Sequence, residues 1–568
     1  VKRYLLFILF CSKVFCKIDS SELAITSESL PRLPDTYSTP SSQVVINRGK
    51  GIILIGNIDA LVSDQELEKF EGYHVIDLNI PGKKQVLQKR LESLYLDQEV
   101  TWDTLNQMKD TIIKYYQDHN RPIVALEIPE QNVSNGVIQF LVLEGIVGEV
   151  KIEGNRYFSS KSLRKKIQIQ SGSTIDQQKL LRDIYFLNGN PFRQANVIYA
   201  PGIEQGTTDI IIHIDDRRPY RFYGGLENTG VDTTGRNHWF TGFNWGNVSG
   251  LGDILSYQFT SSYNPHSFYA HTMQYLCPLP WYHIVNVYGG YSSVHAHLPP
   301  PAKHNSGFSG QASLRYSIPL PIGIFLNHNC ILGFDWKRTN NNVEFTDETP
   351  TFGNNINLAQ WIVGYRGNYE KDWYRLDFEG EFYWSPGRWI GDQTNADYES
   401  IRPDAKNHWI YFRGILNALI KLPHNFSLFL KGVGQWSNQN LIPSEQYGLG
   451  GYDTVRGYEQ RELNFDTALN STIEVRSPAL RVATRNYTLR KKRDALQFLL
   501  FFDYGWGSNK NAVPGNSKTG FLAGIGPGLR YTFDPYVTAR LDIGRKLHTS
   551  PRFGGGDIMC HFAVTCSY

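Results

Sequence analysis

The sequence is poor in the residues that build catalytic or metal centres. Among 568 residues there are six cysteines and three methionines, and 57 basic against 54 acidic residues leave a formal charge of only +3. So small an excess leaves no electrostatic footprint for a nucleic acid. Four cysteines, Cys277, Cys330, Cys560 and Cys566, lie beyond the N-terminus, with no C-x-x-C pair and no metal-ligand spacing. Cys560 and Cys566 share a strand face about 20 Å apart, too far to bridge each other. The four read as small wall residues, and a disulfide from Cys277 or Cys330 to another cysteine stays open in an oxidising compartment. Catalytic signatures are missing too: there is no G-x-S-x-G elbow, H-E-x-x-H pair or Walker loop. The glycine-rich run from Gly524 to Gly528 sits inside a strand pattern and opens no helix, so its glycines read as close packing in a wall. Neither an enzyme nor a cofactor is expected.

Long apolar runs are also absent. After the N-terminus nothing approaches the roughly 18 apolar residues of a membrane helix, and mean hydropathy is −0.36. A helical membrane protein is excluded. A transmembrane barrel is not, because its strands turn alternate residues to a polar lumen.

The chain starts with Lys2 and Arg3 followed by a short apolar run, so residues 1–16 read as a secretory signal peptide. A lipoprotein reading through Cys16 is disfavoured by bulky Phe15 in front of it. Residues 17–50 are rich in Ser, Thr and Pro and read as a flexible lead-in. Residues 51–144 then alternate strand and helix patterns: Ile52 to Ile55 and His74 to Ile80 as strands, and a helix presenting Leu87, Leu91 and Leu94. A second helix capped by Thr101 follows, then strands from Ile123 and Val137. Residues 145–217 repeat the scheme compactly, with helices over Ser159 to Ile169 and Asp176 to Leu187. Both modules are expected to be β-α-α-β-β units.

From 218 to 568 helical periodicity disappears, and sixteen candidate strands run from one near Tyr220 to one near Asp557. An even count in one antiparallel meander is what a membrane barrel needs. Tyr374, Leu376, Phe378, Phe382 and Trp384 alternate with Arg375, Asp377, Glu379 and Glu381. Aromatic pairs such as Trp281 and Tyr282 crowd strand ends, where membrane barrels carry aromatic girdles.

Two stretches in this region stand apart. A long loop after Asn438 carries Gly448, Gly450, Gly451 and then Val455, Arg456, Gly457 and Tyr458. About two strands later come Phe501, Asp503 and Gly505, with Phe498, Leu500, Phe502, Tyr504 and Trp506 on the outward face. Alternation therefore turns Asp503 inward, where a carboxylate seeks a cation. The glycines permit tight turns and close approach to a wall. The reading is a tethered loop folded into the barrel, with Arg456 pairing to Asp503.

Val455-Arg456-Gly457-Tyr458 and the F-x-D-x-G strand resemble the two signature motifs of two-partner secretion transporters, the haemolysin secretion/activation (ShlB/FhaC/HecB) family of outer-membrane barrels. The two modules resemble polypeptide-transport-associated (POTRA) domains. The phrases from Glu127 to Gln131 and from Leu143 to Val150 look like that family's domain-closing and domain-opening segments. The resemblance implies two periplasmic POTRA modules followed by a 16-stranded transmembrane β-barrel in the bacterial outer membrane. It also implies export of a large haemolysin- or adhesin-like partner protein from periplasm to cell surface without ATP. The implied partners are an unfolded client bound by the modules, outer-membrane lipids, and the barrel-assembly machinery that reads a C-terminal aromatic strand such as that ending in Tyr568. In this family an N-terminal helix can plug the barrel, and only Ser20 to Ser29 offers one here. The alternatives are a barrel-assembly insertase of the same superfamily, which usually carries more modules, and a passive porin, which leaves the modules without a role.

Overall fold

The structure, a computed structural model, describes residues 43–204, 206–231, 235–296, 305–321, 326–340, 355–483, 493–512, 518–548 and 557–568. The expected signal peptide, the candidate helix from Ser20 to Ser29 and most of the lead-in lie outside the described residues. Lys17–Arg217 and Arg218–Tyr568 fall in separate compact units.

In the first module Gly51–Ile55 is the central strand. It pairs in parallel with Gly72–Ile76 on one side and with Val137–Glu144 on the other, and Val124–Glu127 closes the sheet antiparallel. Strand alternation turns Ile52 and Leu54 toward the helices Lys84–Tyr95 and Trp102–Asp118, where they bury Leu87, Leu91, Met108 and Ile112. Ile53 and Ile55 face a smaller cluster with Leu67 and Leu141. A capping box joins Thr101 and Thr104 at the start of the second helix, satisfying backbone donors there. The strand expected through Ile80 ends at Ile76, because Asp77 turns into the left-handed region at φ +48°. The sheet's four strands are the four expected, and Gly72–Ile76, at its edge, is the one that the β-α-α-β-β shorthand leaves out.

The second module keeps that order, with strands arranged as Ile146–Glu153, Thr207–Asp216 and Arg193–Pro201. The helix expected over Ser159 to Ile169 is only Ser160–Arg164. It stops because the backbone N–H groups of Gln168 and Ile169 donate to the Asp183 carboxylate instead of continuing the turn. Gly148 marks a bulge: a Cβ there would lie 2.4 Å from an Asp209 oxygen. That oxygen accepts the Glu149 N–H at 2.8 Å, and the Lys151 ammonium sits 2.9 Å from its partner oxygen. The two donors hold the Asp209 carboxyl below its usual range, the backbone donor contributing most.

Residues 218–568 form a closed barrel of sixteen strands in sequence order. Strands 1 to 4 are Tyr220–Glu227, His238–Trp245, Ile254–Ser262 and Phe268–Pro278. Strands 5 to 8 are Ile284–Ala296, Asn305–Pro319, Leu326–Thr339 and Ile356–Lys371. Strands 9 to 12 are Tyr374–Pro386, His408–Lys421, Ser427–Ser437 and Thr467–Arg476. Strands 13 to 16 are Arg493–Ser508, Thr519–Asp534, Val537–Lys546 and Ile558–Ser567. Closure is antiparallel between strands 1 and 16, from Tyr223 opposite Ser567 to Glu227 opposite Ala563. Tyr568 and Phe222 exchange backbone hydrogen bonds beyond that register.

The outer face is apolar: Leu314, Leu332, Val363, Phe382, Leu416, Ile473 and Leu500 all stand exposed. Such a surface suits hydrocarbon and not water. Among the described residues no helix is long and apolar enough to cross a membrane. Cys277, Cys330, Cys560 and Cys566 are free thiols on wall strands. The carboxylate row in strand 9 meets cations, with Glu379 paired to Arg366 and Asp377 to Arg375.

Candidate functional site inside the barrel

The connection from strand 11 to strand 12 holds the site. It has structure of its own, contrary to the plain loop expected: Tyr447–Leu449 and Leu463–Phe465 pair as a small hairpin. At its root Arg402, from the segment between strands 9 and 10, makes a two-pronged pair with Asp466 at 2.6 and 3.0 Å. Tyr398, Ile401, Trp409, Leu441 and Ile442 pack together beside that pair.

The hairpin carries a tight turn from Gly450 to Gly457. Gly450, Gly451 and Gly457 have φ values of +101°, +98° and +99°, a region only glycine enters cheaply. Gly448 is not in that region, and its missing side chain instead leaves space for the Arg461 side chain. The Gly451 N–H donates to the Val455 carbonyl and closes the turn. Val455 is buried with Leu449, Tyr458 and Leu522.

Arg456 then points into the wall. Its Nε and Nη2 donate to the two oxygens of Asp503 at 2.7 and 2.8 Å, and its backbone N–H donates to the same carboxylate at 3.0 Å. Nη1 donates to Glu474 at 2.7 Å and lies 3.4 Å from Asp542. The guanidinium lies over the Phe501 ring, 3.5 Å from its centroid. Arg456 thus engages strands 12, 13 and 15 together. A planar fork with five donors can do this, and an ammonium cannot.

Glu474 and Asp542 were not among the expected partners. In sequence each is one inward acid among several on an alternating strand, and nothing local assigns it a cation. Three wall arginines balance the three wall carboxylates: Arg476 pairs with Glu474 at 2.6 Å, and Arg530 and Arg540 pair with Asp542 at 2.8 and 2.6 Å. The loop adds Arg456 and Asp453, and the latter lies 3.7 Å from Arg540. Charge is therefore matched with the loop seated.

Wall glycines make the close fit possible. A Cβ on Gly524 would lie 2.1 Å from the Arg456 carbonyl oxygen, and one on Gly544 would lie 2.4 Å from the Gly457 nitrogen. Gly505 leaves room for Leu449 and Val455 in the same way. The Gly457 N–H donates to His561 Nε2 at 3.2 Å. The Tyr458 hydroxyl lies 3.0 Å from the Ala523 carbonyl oxygen and accepts the His548 N–H at 3.2 Å. Among the described residues no group of His, Cys, Asp and Glu could hold a metal ion.

A closed sixteen-stranded barrel with an apolar exterior, an arginine loop fastened to its inner wall and two sheet modules ahead of it defines an outer-membrane transporter, its modules in the periplasm. Residues 206–531 match the haemolysin secretion/activation protein ShlB/FhaC/HecB family, and the chain belongs to that family. Residues 74–145 match the ShlB-type POTRA domain, and residues 145–217 match the surface antigen variable number repeat, also a POTRA domain. The chain is 23% identical over 455 residues to the heme/hemopexin transporter protein HuxB of Haemophilus influenzae, covering 77% of this chain and 76% of that protein. It is 23% identical over 388 residues to the outer membrane transporter CdiB of Dickeya dadantii, covering 66% of each. In fold it is similar to CdiB from Escherichia coli, with a TM-score of 0.73 at 16% identity over 96% of this chain and 93% of that one. CdiB from Acinetobacter baumannii gives 0.65 at 16% identity, over 97% and 95%.

Proposed function

We propose that this transporter exports one large partner protein, unfolded, from the periplasm to the cell surface without ATP or any catalytic step. The observation that carries the reading is the pairing of a structured loop with the lumen of a barrel preceded by two modules with open sheet edges. In the first module Gly72–Ile76 and Val124–Glu127 each have a strand neighbour on one side only. An extended client segment adds to such an edge through main-chain hydrogen bonds. The first module captures the client, and the second passes it to the pore. Arg456 holds the loop in a conduction-competent position, with Asp503 as its anchor. Lipid contacts the exposed belt, and the barrel-assembly machinery acts on the strand Ile558–Ser567 that closes the barrel.

An insertase of the same superfamily would deliver its client into the bilayer and not across it, and such proteins usually carry more than the two modules found here. A passive porin would use neither module. The test is export in a bacterial host of a large secreted protein encoded beside this gene. Surface appearance of that protein only when the transporter is present supports the reading, and its appearance without the transporter overturns it.

A further inference from the structure

Besides its root at Asp466, the same loop has a further attachment opposite in charge to that at Arg456. Glu445 lies 11 positions before Arg456 and is fully buried. Its Oε1 accepts from Lys337 Nζ at 2.7 Å, and its Oε2 accepts from the Tyr411 hydroxyl at 2.7 Å and from Gln360 Nε2 at 3.2 Å. Its own carbonyl accepts from Gln435 Nε2 at 3.1 Å. Those partners stand on strands 7, 8, 10 and 11. Arg456 is held by strands 12, 13 and 15, so the two attachments are several strands apart around the wall. Between them Lys431 of strand 11 donates to the Asp453 carbonyl at 2.8 Å. The loop is therefore a strap lying along the inner wall from strand 7 to strand 16.

The wall at the Glu445 end is short of negative charge without the strap. Arg315 pairs with Asp335 at 2.7 Å, and Lys337 is 4.0 Å from that acid. Glu381 also faces Arg315, and Arg413 faces Glu445, so three cations (Arg315, Lys337 and Arg413) meet two wall carboxylates, and Glu445 supplies the third negative charge. Lys337 is itself buried, so a strap that lifted here would leave an ammonium without its nearest acid in a largely dry setting.

We infer that Glu445 is a second positioning residue of the transporter: it fixes the near end of the strap to strands 7, 8 and 10, and the lumen stays narrow until this end is released. A barrel of this size leaves an aqueous channel when its interior is unfilled. The strap fills part of that interior only while both ends are fastened. With Glu445 released, the stretch between it and the Lys431 contact moves away from strands 7, 8 and 10 and widens the path there, while Asp466 and Arg456 keep the loop tethered. The inference rests on the export reading above, and ion conduction without any client tests it apart from that reading.

The experiment is conductance of the full-length protein in planar bilayers, with heat-modifiable migration on gels as the check that the barrel has assembled. Glu445→Ala and, from the wall side, Lys337→Met are each expected to raise the open fraction by about tenfold with assembly intact. Glu445→Gln keeps its contacts to Tyr411 and Gln360 and should fall between these and the parent protein. The double exchange Glu445→Lys with Lys337→Glu should return conductance toward the parent level, which no purely structural role would require. If Glu445→Ala does not assemble, Lys337→Met and the double exchange decide. Parent-like conductance in Lys337→Met and Glu445→Ala overturns the inference, and so does a double exchange no quieter than the single variants.

Discussion

The two ends of the strap do the same job with opposite chemistry. At the far end a loop cation joins three carboxylates that three wall arginines already balance, and at the near end a loop acid enters a wall with a surplus cation. Arg456 has three carboxylates within 3.4 Å, a backbone donor on the same anchor and an aromatic ring beneath it. Glu445 has one ammonium and three neutral donors, Tyr411, Gln360 and Ser444. Breaking a buried pair by removing one partner costs about 3–5 kcal/mol, and the far end loses several such contacts at once. The difference teaches that the far end is the permanent fastening and the near end the one that can open.

The largest effect is expected from Arg456→Ala. It strands Asp503, which is fully buried, and removes the shared cation of three strands. Export of the partner protein should be abolished while the barrel, whose ladder does not run through the loop, still migrates as a folded species. Secretion assays alongside heat-modifiability check this, and normal export would remove the distinction between the ends. Gly524→Ala comes next. Its methyl would lie 2.1 Å from the Arg456 carbonyl oxygen, so the strap must lift. Overpacking of this kind costs about 1–3 kcal/mol, and export should fall strongly. The same substitution at Gly432, which meets nothing within 4 Å, should leave export near normal.

Charge exchange sharpens the contrast further. Arg456→Asp combined with Asp503→Arg places an acid where Nη1 now meets Glu474 at 2.7 Å, so that exchange should not restore export. The exchange of Glu445 and Lys337 meets Asp335, at 4.0 Å and already paired to Arg315, and Arg413, which lies over the Tyr383 and Tyr411 rings, and should restore the closed state in large part. Rescue at both ends, or at neither, would erase the asymmetry. The smallest effect is expected from Phe501→Leu, which removes the ring under the guanidinium and keeps its ion pairs. A desolvated contact of this kind is worth about 2 kcal/mol, so export should be reduced but measurable in the same secretion assay.

Much of this was legible in the sequence. The strand alternation of Phe498 to Trp506 turns Asp503 inward, and the glycines around Arg456 mark a loop built to approach a wall. Sixteen strands could be counted because each hides half its residues. The partners Glu474 and Asp542 were not legible, since an inward acid on a barrel strand looks like any lumen charge until the wall closes. Lys337 and Glu445 lie 108 positions apart, and no local pattern joins them. The short helix Ser160–Arg164 was overextended because the Asp183 carboxylate, well along the chain, takes the backbone donors that would have continued it. Gly524 read as an ordinary wall glycine, and only the seated loop shows that its missing side chain makes room for Arg456.

The most direct test of the account places purified full-length protein in liposomes and presents an unfolded large secreted protein encoded beside its gene. The account predicts client that is soluble inside the vesicles and protected from added protease. Client embedded in the bilayer and resistant to alkaline extraction would contradict export and make the protein an insertase.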